Sequence, residues 1–284
     1  MSSNEHPPVP YLNPEFMKSQ EARVVRILAE YIEPFSRLRK YRVRDTIVFF
    51  GSARSSRPES AAAEVEKLEN QLKIAPGSSP EIEAALGRAR QAVKLSRYYK
   101  DAMELARTIT EWSKGLTGQH HFIICSGGSR GMMEAANRGA SAARGKTLGF
   151  NIELPHEQEV NQYVSRELVF NFHYFFMRKF WFVYLAKALV VFPGGFGTMD
   201  ELFEVLTLIQ TKKPRKSMPV VLFGREFWDE VLNFEALVRW GVVSPEDLDI
   251  FYKTDSVDDA FDYLRGKLES LYLTPQGLEE IKLT

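Results

Sequence analysis

The composition of this 284-residue chain limits its function before any motif is considered. With 44% hydrophobic residues, and basic and acidic side chains equal at 37 each, it can bury one large core or two modest ones. A net charge near zero disfavours a protein that grips long nucleic acid through bulk electrostatics, although a local basic patch stays open. A single cysteine, Cys125, rules out an internal disulfide framework and suits a reducing compartment.

The N-terminal residues and the most apolar segment both bear on localisation. The N-terminal stretch MSSNEHPPVPYLNPEF lacks a basic region followed by an apolar run, the pattern of a signal peptide. The most apolar segment, residues 170–192, is interrupted by Arg178, Lys179 and Lys187, so we do not expect it to cross a membrane. We therefore expect a cytoplasmic protein.

Short apolar strands alternate with amphipathic helices along most of the chain. A Pro-rich tail and a helix occupy residues 1–45, and a β-rich run from Thr46 to Phe50 follows. Charged, Ala-rich sequence over residues 57–95, with a break at 75–80, predicts a helical hairpin. A separate helix, YYKDAMELARTITEWS, is predicted after the hairpin. Further on, strand-like runs alternate with helical ones, in the order HFIIC, TLGFNIEL, ELVFNF, ALVVF and MPVVLF. After the last of these strands, REFWDEVLNFEALVRW is predicted to form one helix.

This alternation predicts an α/β fold, a doubly wound (Rossmann-like) parallel sheet with flanking helices. We expect one nucleotide-binding domain over residues 46–284, with residues 1–45 as a helical N-terminal extension. The hairpin at 57–95 reads as an insertion with a structural or oligomer-contact role.

Three of the predicted strands end in runs of small residues, namely FFGSAR, CSGGSRGMM and VFPGGFGT. In doubly wound sheets, ligands bind beyond the carboxyl ends of the strands. Glycine lets the backbone approach a ligand closely, and the free N–H groups of a helix N-terminus favour an anion such as phosphate. Each turn alone is weak evidence, since every strand-to-helix connection needs one, but three converging turns predict a phosphate-binding edge.

Common nucleotide and catalytic motifs are missing from the sequence. It has no G-x-x-x-x-G-K-[ST] phosphate loop, no G-x-S-x-G elbow, and GGSRGM lacks the dinucleotide spacing. The histidines, His120, His121, His156 and His173, show no metal-ligand spacing with Cys125, so we expect no catalytic metal.

Two charged residues near the third turn are the catalytic candidates. Arg178 lies among aromatic residues, where it either extends its charge to the sheet edge or lines a polar pocket with a carboxylate or a ligand. Glu201 is the candidate carboxylate. The spacing Thr198-x-x-Glu201 is also that of a helix capping box, in which Glu201 would fold back onto the backbone. Sequence spacing does not separate these alternatives.

Together these residues resemble a known family. PGGFGTMDE fits the PGGxGTxxE motif of the LONELY GUY family, the cytokinin-activating phosphoribohydrolases long labelled lysine decarboxylases. FFMRKFWFVYLAKALVVF looks like the Arg-Lys segment that precedes that motif, and GGSRGMMEAANRGA and FGSAR resemble its other glycine-rich turns. The resemblance covers residues 46–56 and 98–223.

The resemblance implies a nucleoside 5′-monophosphate N-glycosidase that releases a free base and ribose 5-phosphate, with AMP or a cytokinin riboside monophosphate as substrate and without a cofactor. The catalytic pair would be Arg178 and Glu201. The substrate contacts that it implies are Gly51, Ser52, Gly127, Gly128, Gly131, Glu157, Lys179, Gly194, Gly195, Gly197, Thr198 and Thr207. It also implies a homodimer or higher homo-oligomer. The neutral charge, the lack of a basic helix and the interrupted apolar segment lead us to expect no nucleic-acid or membrane partner.

Other functions compete with this one. A non-catalytic nucleotide or molybdenum-cofactor carrier would keep the phosphate turns, but would not need both Arg178 and Glu201. A lysine decarboxylase needs a Schiff-base lysine for pyridoxal phosphate, and no lysine here has a recognisable setting of that kind. The sequence also departs from longer family members at Ser129 and Arg130, which stand where Gly-Pro is usual. Arg130 would then add a phosphate contact or only alter the turn.

Overall fold

A wholly parallel sheet of seven strands forms the centre of the structure, a computed structural model that describes residues 7–74, 80–117, 120–155, 159–213 and 216–274. The strands are β1 (Asp45–Phe50), β2 (Phe122–Ser126), β3 (Thr147–Ile152), β4 (Val169–Phe172), β5 (Ala186–Val191), β6 (Val220–Phe223) and β7 (Phe251–Thr254). Their order across the sheet is β4-β3-β2-β1-β5-β6-β7.

Helices cover both faces of this sheet. Those in the described ranges are α1 (Pro14–Lys18), α2 (Arg23–Lys40), α3 (Pro58–Ile74), α4 (Pro80–Lys114), α5 (Met132–Ala142), α6 (Phe175–Leu185), α7 (Phe196–Gln210), α8 (Arg225–Val231), α9 (Phe234–Arg239) and α10 (Val257–Leu268). Short 3-10 segments occupy Pro10–Leu12, Arg166–Leu168 and Pro245–Ile250, and a π-helical turn spans Glu269–Leu273.

Strand β1 shows why the fold has two layers of helices. All six of its residues are buried, and successive side chains point to opposite faces. Ile47 and Phe49 pack with α4, α5 and α10, while Val48 and Phe50 pack with α2, α6, α7 and α8. A strand covered on both faces is expected to be mostly apolar, as β1 is from Ile47 to Phe50. The doubly wound α/β prediction is confirmed.

The strand order fixes where a ligand can bind. From β1 the chain builds outward through β2, β3 and β4, and then returns to place β5 on the other side of β1. The connections therefore diverge between β1 and β5, which leaves a crevice at their carboxyl ends. The three glycine-rich turns follow β1, β2 and β5, so they surround this crevice.

Three local predictions were wrong. The sequence suggested a separate helix near Tyr98, but α4 runs unbroken from Pro80 to Lys114 because no proline interrupts residues 81–114. One helix was expected over residues 225–240, but the structure has two, α8 and α9. Asn233 starts the second one, because its side chain caps α9 by accepting the Ala236 N–H at 2.9 Å. Strand β7 was not predicted.

Candidate functional site

Ser52 ties the three glycine-rich turns together. Its backbone N–H donates to the carbonyl of Pro193 in the third turn, at 3.0 Å. Its own carbonyl accepts from the Met132 N–H, where the second turn enters α5, also at 3.0 Å. The first turn therefore bridges the other two, and the three strand exits form one rigid edge, as the sequence analysis predicted.

Glycine is required where these turns touch. Gly131 precedes α5 with φ 73° and ψ −136°, a region that side chains rarely adopt. A Cβ atom there would lie 2.2 Å from the Ser52 carbonyl oxygen. At Gly51, a Cβ atom would lie 2.7 Å from the Met132 side chain. These two glycines allow the first and second turns to approach, which is a structural role and does not need ligand contact.

Helix α7 begins earlier than a capping box would require. Its N-cap is Gly195, and the N–H groups of Thr198 and Met199 both donate to the Gly195 carbonyl at 3.0 Å. Thr198 is therefore the third helical residue, and Glu201 lies in the second turn. The capping-box alternative is wrong, because α7 begins at Phe196 and Thr198 is therefore not its N-cap. Since glycine can adopt helical angles, the last glycine of the motif, Gly197, is part of the helix. Glu201 is left free for another role.

The third turn presents a helix N-terminus to the crevice. Within the described residues, the N–H groups of Phe196 and Gly197 have no hydrogen-bond acceptor. No atom lies within 4 Å of a Cβ atom built at Gly195 or Gly197, so the space above them is open. Thr198 is buried against Gly194, where a Cβ atom would lie 2.1 Å from its hydroxyl oxygen. This arrangement suits an anion.

Arg178 reaches across the mouth of β2 and β3. Its Nε donates to the carbonyl of Phe150 at 2.8 Å, and its guanidinium lies over the Phe182 ring at 5.1 Å. A Cβ atom at Gly127 would lie 2.6 Å from its Nη2, so the guanidinium packs directly against this glycine. Among the described residues the two Nη groups have no hydrogen-bond partner, and they remain available to a ligand.

Burial changes the ionisation of this site. It lowers the pKa of the Arg178 guanidinium, an effect that the Glu201 carboxylate opposes. Burial also raises the pKa of the Glu201 carboxyl, while Lys179 and then Arg178 lower it. Arg178 and Glu201 thus influence each other's charge, yet no ion pair joins them in the described part of the chain. Burial likewise raises the pKa of the nearby Cys125 thiol, so it stays protonated.

Lys179 holds three carboxylates of α7. Its Nζ lies 2.8 Å from Asp200, 2.9 Å from Glu204 and 3.5 Å from Glu201. Burial alone would lower the pKa of Lys179, but its bonds to Asp200 and Glu204 outweigh burial and raise it. Lys179 is predicted from the sequence as a substrate contact, whereas in this structure its charge is used to hold α7 carboxylates beside the crevice.

A buried polar network sets the shape of the second turn. Ser126 donates to the Asn137 side-chain oxygen at 2.7 Å, and its own oxygen accepts the Gly128 N–H at 3.0 Å. The Asn161 amide donates to the carbonyl of Gly128 and to Asn137. Asn137 completes the network by donating to Thr147. Sequence reasoning missed these residues, although an asparagine within an Ala-rich helix is a usable signal.

The remaining predicted contacts lie further out. Glu157 falls outside the described residues. Thr207 is exposed on α7 and donates to the carbonyl of Phe203 at 2.7 Å. Arg130 is exposed beside a cavity of about 470 Å³ that Arg57 and Asn161 also line, so its side chain faces that cavity.

Two other features complete the description. Over the described ranges, no group of three His, Cys, Asp or Glu side chains is placed to hold a metal ion. His120 instead bonds Asp45 at 2.7 Å, His173 bonds Glu153 at 3.1 Å, and His156 falls outside those ranges. No helix in them combines the length and the apolar character that crossing a bilayer requires.

This chain is similar to a family model and to two curated proteins. The family model described as "Possible lysine decarboxylase" matches residues 133–264, which include Arg178 and Glu201. A curated relative in Oryza sativa subsp. japonica, named probable cytokinin riboside 5′-monophosphate phosphoribohydrolase LOGL5, is 29% identical over 195 residues. These cover 67% of this chain and 73% of the relative. A Mycobacterium tuberculosis protein named cytokinin riboside 5′-monophosphate phosphoribohydrolase is 27% identical over 164 residues, covering 55% of this chain and 83% of that protein.

Among solved structures, the molybdenum-cofactor (Moco) carrier protein from Chlamydomonas reinhardtii is similar, with a TM-score of 0.44 and 21% identity. The match covers 80% of this chain and 99% of that one.

Proposed function

We propose that this chain hydrolyses the N-glycosidic bond of nucleoside 5′-monophosphates. The premise is that it belongs to the LONELY GUY family, the phosphoribohydrolases long labelled possible lysine decarboxylases. The products would be a free base and ribose 5-phosphate. AMP and cytokinin riboside monophosphates are the substrates we favour, since both curated relatives are named for the latter activity.

The observation that carries the proposal is that the buried carboxylate of Glu201 does not cap α7 and lies close to the helix N-terminus, where the Phe196 and Gly197 N–H groups have no acceptor among the described residues. Glu201 lies five residues after the first residue of α7, about 7 Å further along the axis. Its Cα–Cβ bond tilts back toward the helix N-terminus. A phosphate held at that N-terminus would therefore place the sugar of the same nucleotide near the Glu201 carboxylate.

The chemistry follows from charge. Cleavage of a glycosidic bond develops positive charge on the ribose, and a carboxylate beside the sugar stabilises it. Glu201 would also orient the water that attacks the anomeric carbon, while the departing base takes the bonding electrons and a proton. The free Nη groups of Arg178 would bind the ribose or assist the departing base. Binding energy from the phosphate would serve to position the anomeric carbon.

The carrier function would use the same phosphate turns without chemistry. A carrier would not need both a buried carboxylate and a guanidinium with free Nη groups on two sides of the crevice, so we favour the hydrolase. We also propose that the chain acts in the cytoplasm as a homodimer or higher homo-oligomer, without nucleic-acid or membrane partners.

The proposal is tested by incubating the purified chain with a panel of nucleoside monophosphates and following free base and ribose 5-phosphate by chromatography. We expect release by the wild type and a loss of at least 100-fold in Glu201→Gln, since one charge-stabilising group is worth about 10²–10³ in rate. Glu66→Gln is the matched control, because Glu66 is exposed on α3. Nucleotide binding without release by the wild type would support the carrier instead.

A further inference from the structure

A cavity of about 470 Å³ lies beside the second glycine-rich turn. It is lined by Ser129 and Arg130 of that turn, by the start of α5 and by residues 159–162, which follow β3. Among the described residues, none from α6 or α7 lines it, so Arg178 and Glu201 take no part in its walls. The hydrolytic mechanism proposed above therefore leaves this cavity without a function.

A buried hydroxyl in the cavity has no partner in the protein. Ser129 lines the cavity and is only 3% exposed. Its backbone carbonyl accepts from the Asn161 side-chain amide at 2.9 Å, whereas its hydroxyl makes no hydrogen bond within the described ranges. Buried hydroxyls are nearly always hydrogen-bonded. The Ser129 hydroxyl is therefore available to a polar ligand in the cavity.

The start of α5 adds backbone donors to the same wall. This helix has eleven residues, and no side chain caps its N-terminus. The Met132 N–H donates to the Ser52 carbonyl, but the N–H groups of Met133 and Glu134 have no acceptor in the described part of the chain. Free N–H groups in the first turn of a helix favour an anion.

Arg130 adds an unpaired positive charge. It is exposed at the cavity, and its guanidinium forms no ion pair or hydrogen bond over the described residues. A guanidinium binds two phosphate oxygens at once through parallel N–H groups. Together with the Ser129 hydroxyl and the start of α5, it makes a set of donors that suits a phosphoryl group.

The cavity also contains hydrogen-bond acceptors. Glu134 accepts from Arg57 at 2.6 Å and from the Tyr99 hydroxyl at 2.9 Å, so the Arg57 charge compensates its carboxylate. Both bonds use Oε1, and Oε2 has no partner among the described residues. Glu159 is exposed and also lines the cavity. Ionised carboxylates accept hydrogen bonds from hydroxyl groups, which a sugar supplies.

We propose that this cavity is a binding site for a sugar phosphate. The phosphoryl group lies against Ser129, Arg130 and the start of α5, and the sugar hydroxyls donate to Glu134 and Glu159. A volume of about 470 Å³ suits such a ligand, because small-molecule sites span roughly 300–1,000 Å³. This second site for phosphate goes beyond the hydrolase and does not depend on whether nucleotides are cleaved.

The test counts the bound ligand by equilibrium dialysis of the full chain against radiolabelled ribose 5-phosphate. Arg130→Glu replaces the free positive charge by a negative one, so we expect this variant to bind one equivalent fewer than the wild type. Arg88→Glu makes the same change on an exposed position of α4 outside the cavity, and it should bind as many equivalents as the wild type. Equal binding by Arg130→Glu and the wild type, or no binding by the wild type, would overturn the proposal.

Two further measurements keep the result specific. Arg130 is exposed, so circular dichroism of Arg130→Glu should match the wild type. Inorganic phosphate should displace the Arg130-dependent equivalent only at about tenfold higher concentration than unlabelled ribose 5-phosphate, the factor that one hydrogen bond to a charged group supplies. Equal displacement would overturn the assignment to a sugar. Stronger displacement by AMP, measured in Glu201→Gln so that AMP is not consumed, would overturn it in favour of a nucleotide. Base release is not a readout here, so failure of the hydrolase leaves the binding result readable.

Discussion

Substitution of Gly131 by alanine should destabilise the fold and distort the crevice together. Gly131 is the point where the second turn passes over the first, and its φ of 73° with ψ of −136° is a conformation that essentially only glycine adopts. An added Cβ atom would lie 2.2 Å from the Ser52 carbonyl oxygen and 2.7 Å from the Ala53 Cα atom. Both are backbone atoms, so no side-chain rotation can relieve the clash.

The magnitude follows from two costs. Forcing alanine into this backbone conformation costs about 1–3 kcal/mol. Moving the Ser52 backbone away from the new methyl group costs a further 1–3 kcal/mol, roughly the cost of overpacking a core. The free energy of unfolding should therefore fall by about 2–6 kcal/mol, a large part of the roughly 5–15 kcal/mol that holds a typical protein together.

Urea unfolding followed by circular dichroism measures this loss. With a slope of about 3 kcal/mol per molar urea, the midpoint for Gly131→Ala should fall by on the order of 1 M. Gly266→Ala is the control, because Gly266 lies in α10 and no atom lies within 4 Å of the added Cβ. It should leave stability unchanged or raise it by up to about 1 kcal/mol. A Gly131→Ala midpoint that matches the wild type would refute the argument that the turns touch here.

Two further predictions concern the charges and the polar network. Burial raises the pKa of Glu201, and Lys179 lowers it, so Lys179→Met should raise that pKa further. The acid limb of the kcat/KM–pH profile of base release should then move to higher pH. Lys179→Arg should have the same acid limb as the wild type. If Lys179→Met lowers the rate but leaves the acid limb at the same pH, Lys179 has a purely structural role. Asn137→Leu should lower the free energy of unfolding by about 3 kcal/mol or more, because it leaves several buried polar partners unbonded. Ser141→Ala, exposed on the same helix, is its control, and an equal urea midpoint in the two variants would contradict that prediction.

Much of the fold was predictable because its signals are local. Strand β1 is apolar from Ile47 to Phe50, so its burial on both faces follows from its own residues. Convergence of the three glycine-rich turns then follows from the parallel sheet. Strand β7 was missed because FYKT is short and half polar, and only pairing with β6 over four residues makes it a strand. That pairing is a tertiary effect that the segment itself does not encode.

The geometry around the candidate residues was not predictable from the sequence. The motif around Glu201 indicates a catalytic carboxylate or a cap with equal force, because both readings use the same spacing. The cap is excluded by the position at which α7 begins, and that position is set by the hydrogen bonds of the Thr198 and Met199 N–H groups to the Gly195 carbonyl. Likewise, the sequence does not reveal that Asp200 and Glu204 lie within 3 Å of Lys179. These contacts join α6 to α7, and periodicity within one helix does not predict them.

The separation of Arg178 from Glu201 is the strongest physical argument for a ligand between them. Two opposite charges in a shared low-dielectric site gain most by pairing directly. Here each is instead stabilised elsewhere, Arg178 by the Phe150 carbonyl and Glu201 by Lys179. A direct pair would satisfy both groups and leave neither for substrate. We propose that a polar ligand, the nucleotide, contacts both groups and completes the site. Nucleotide binding should therefore raise the melting temperature of the wild type more than that of Arg178→Met, and equal shifts in the two would mean that Arg178 does not contact the ligand.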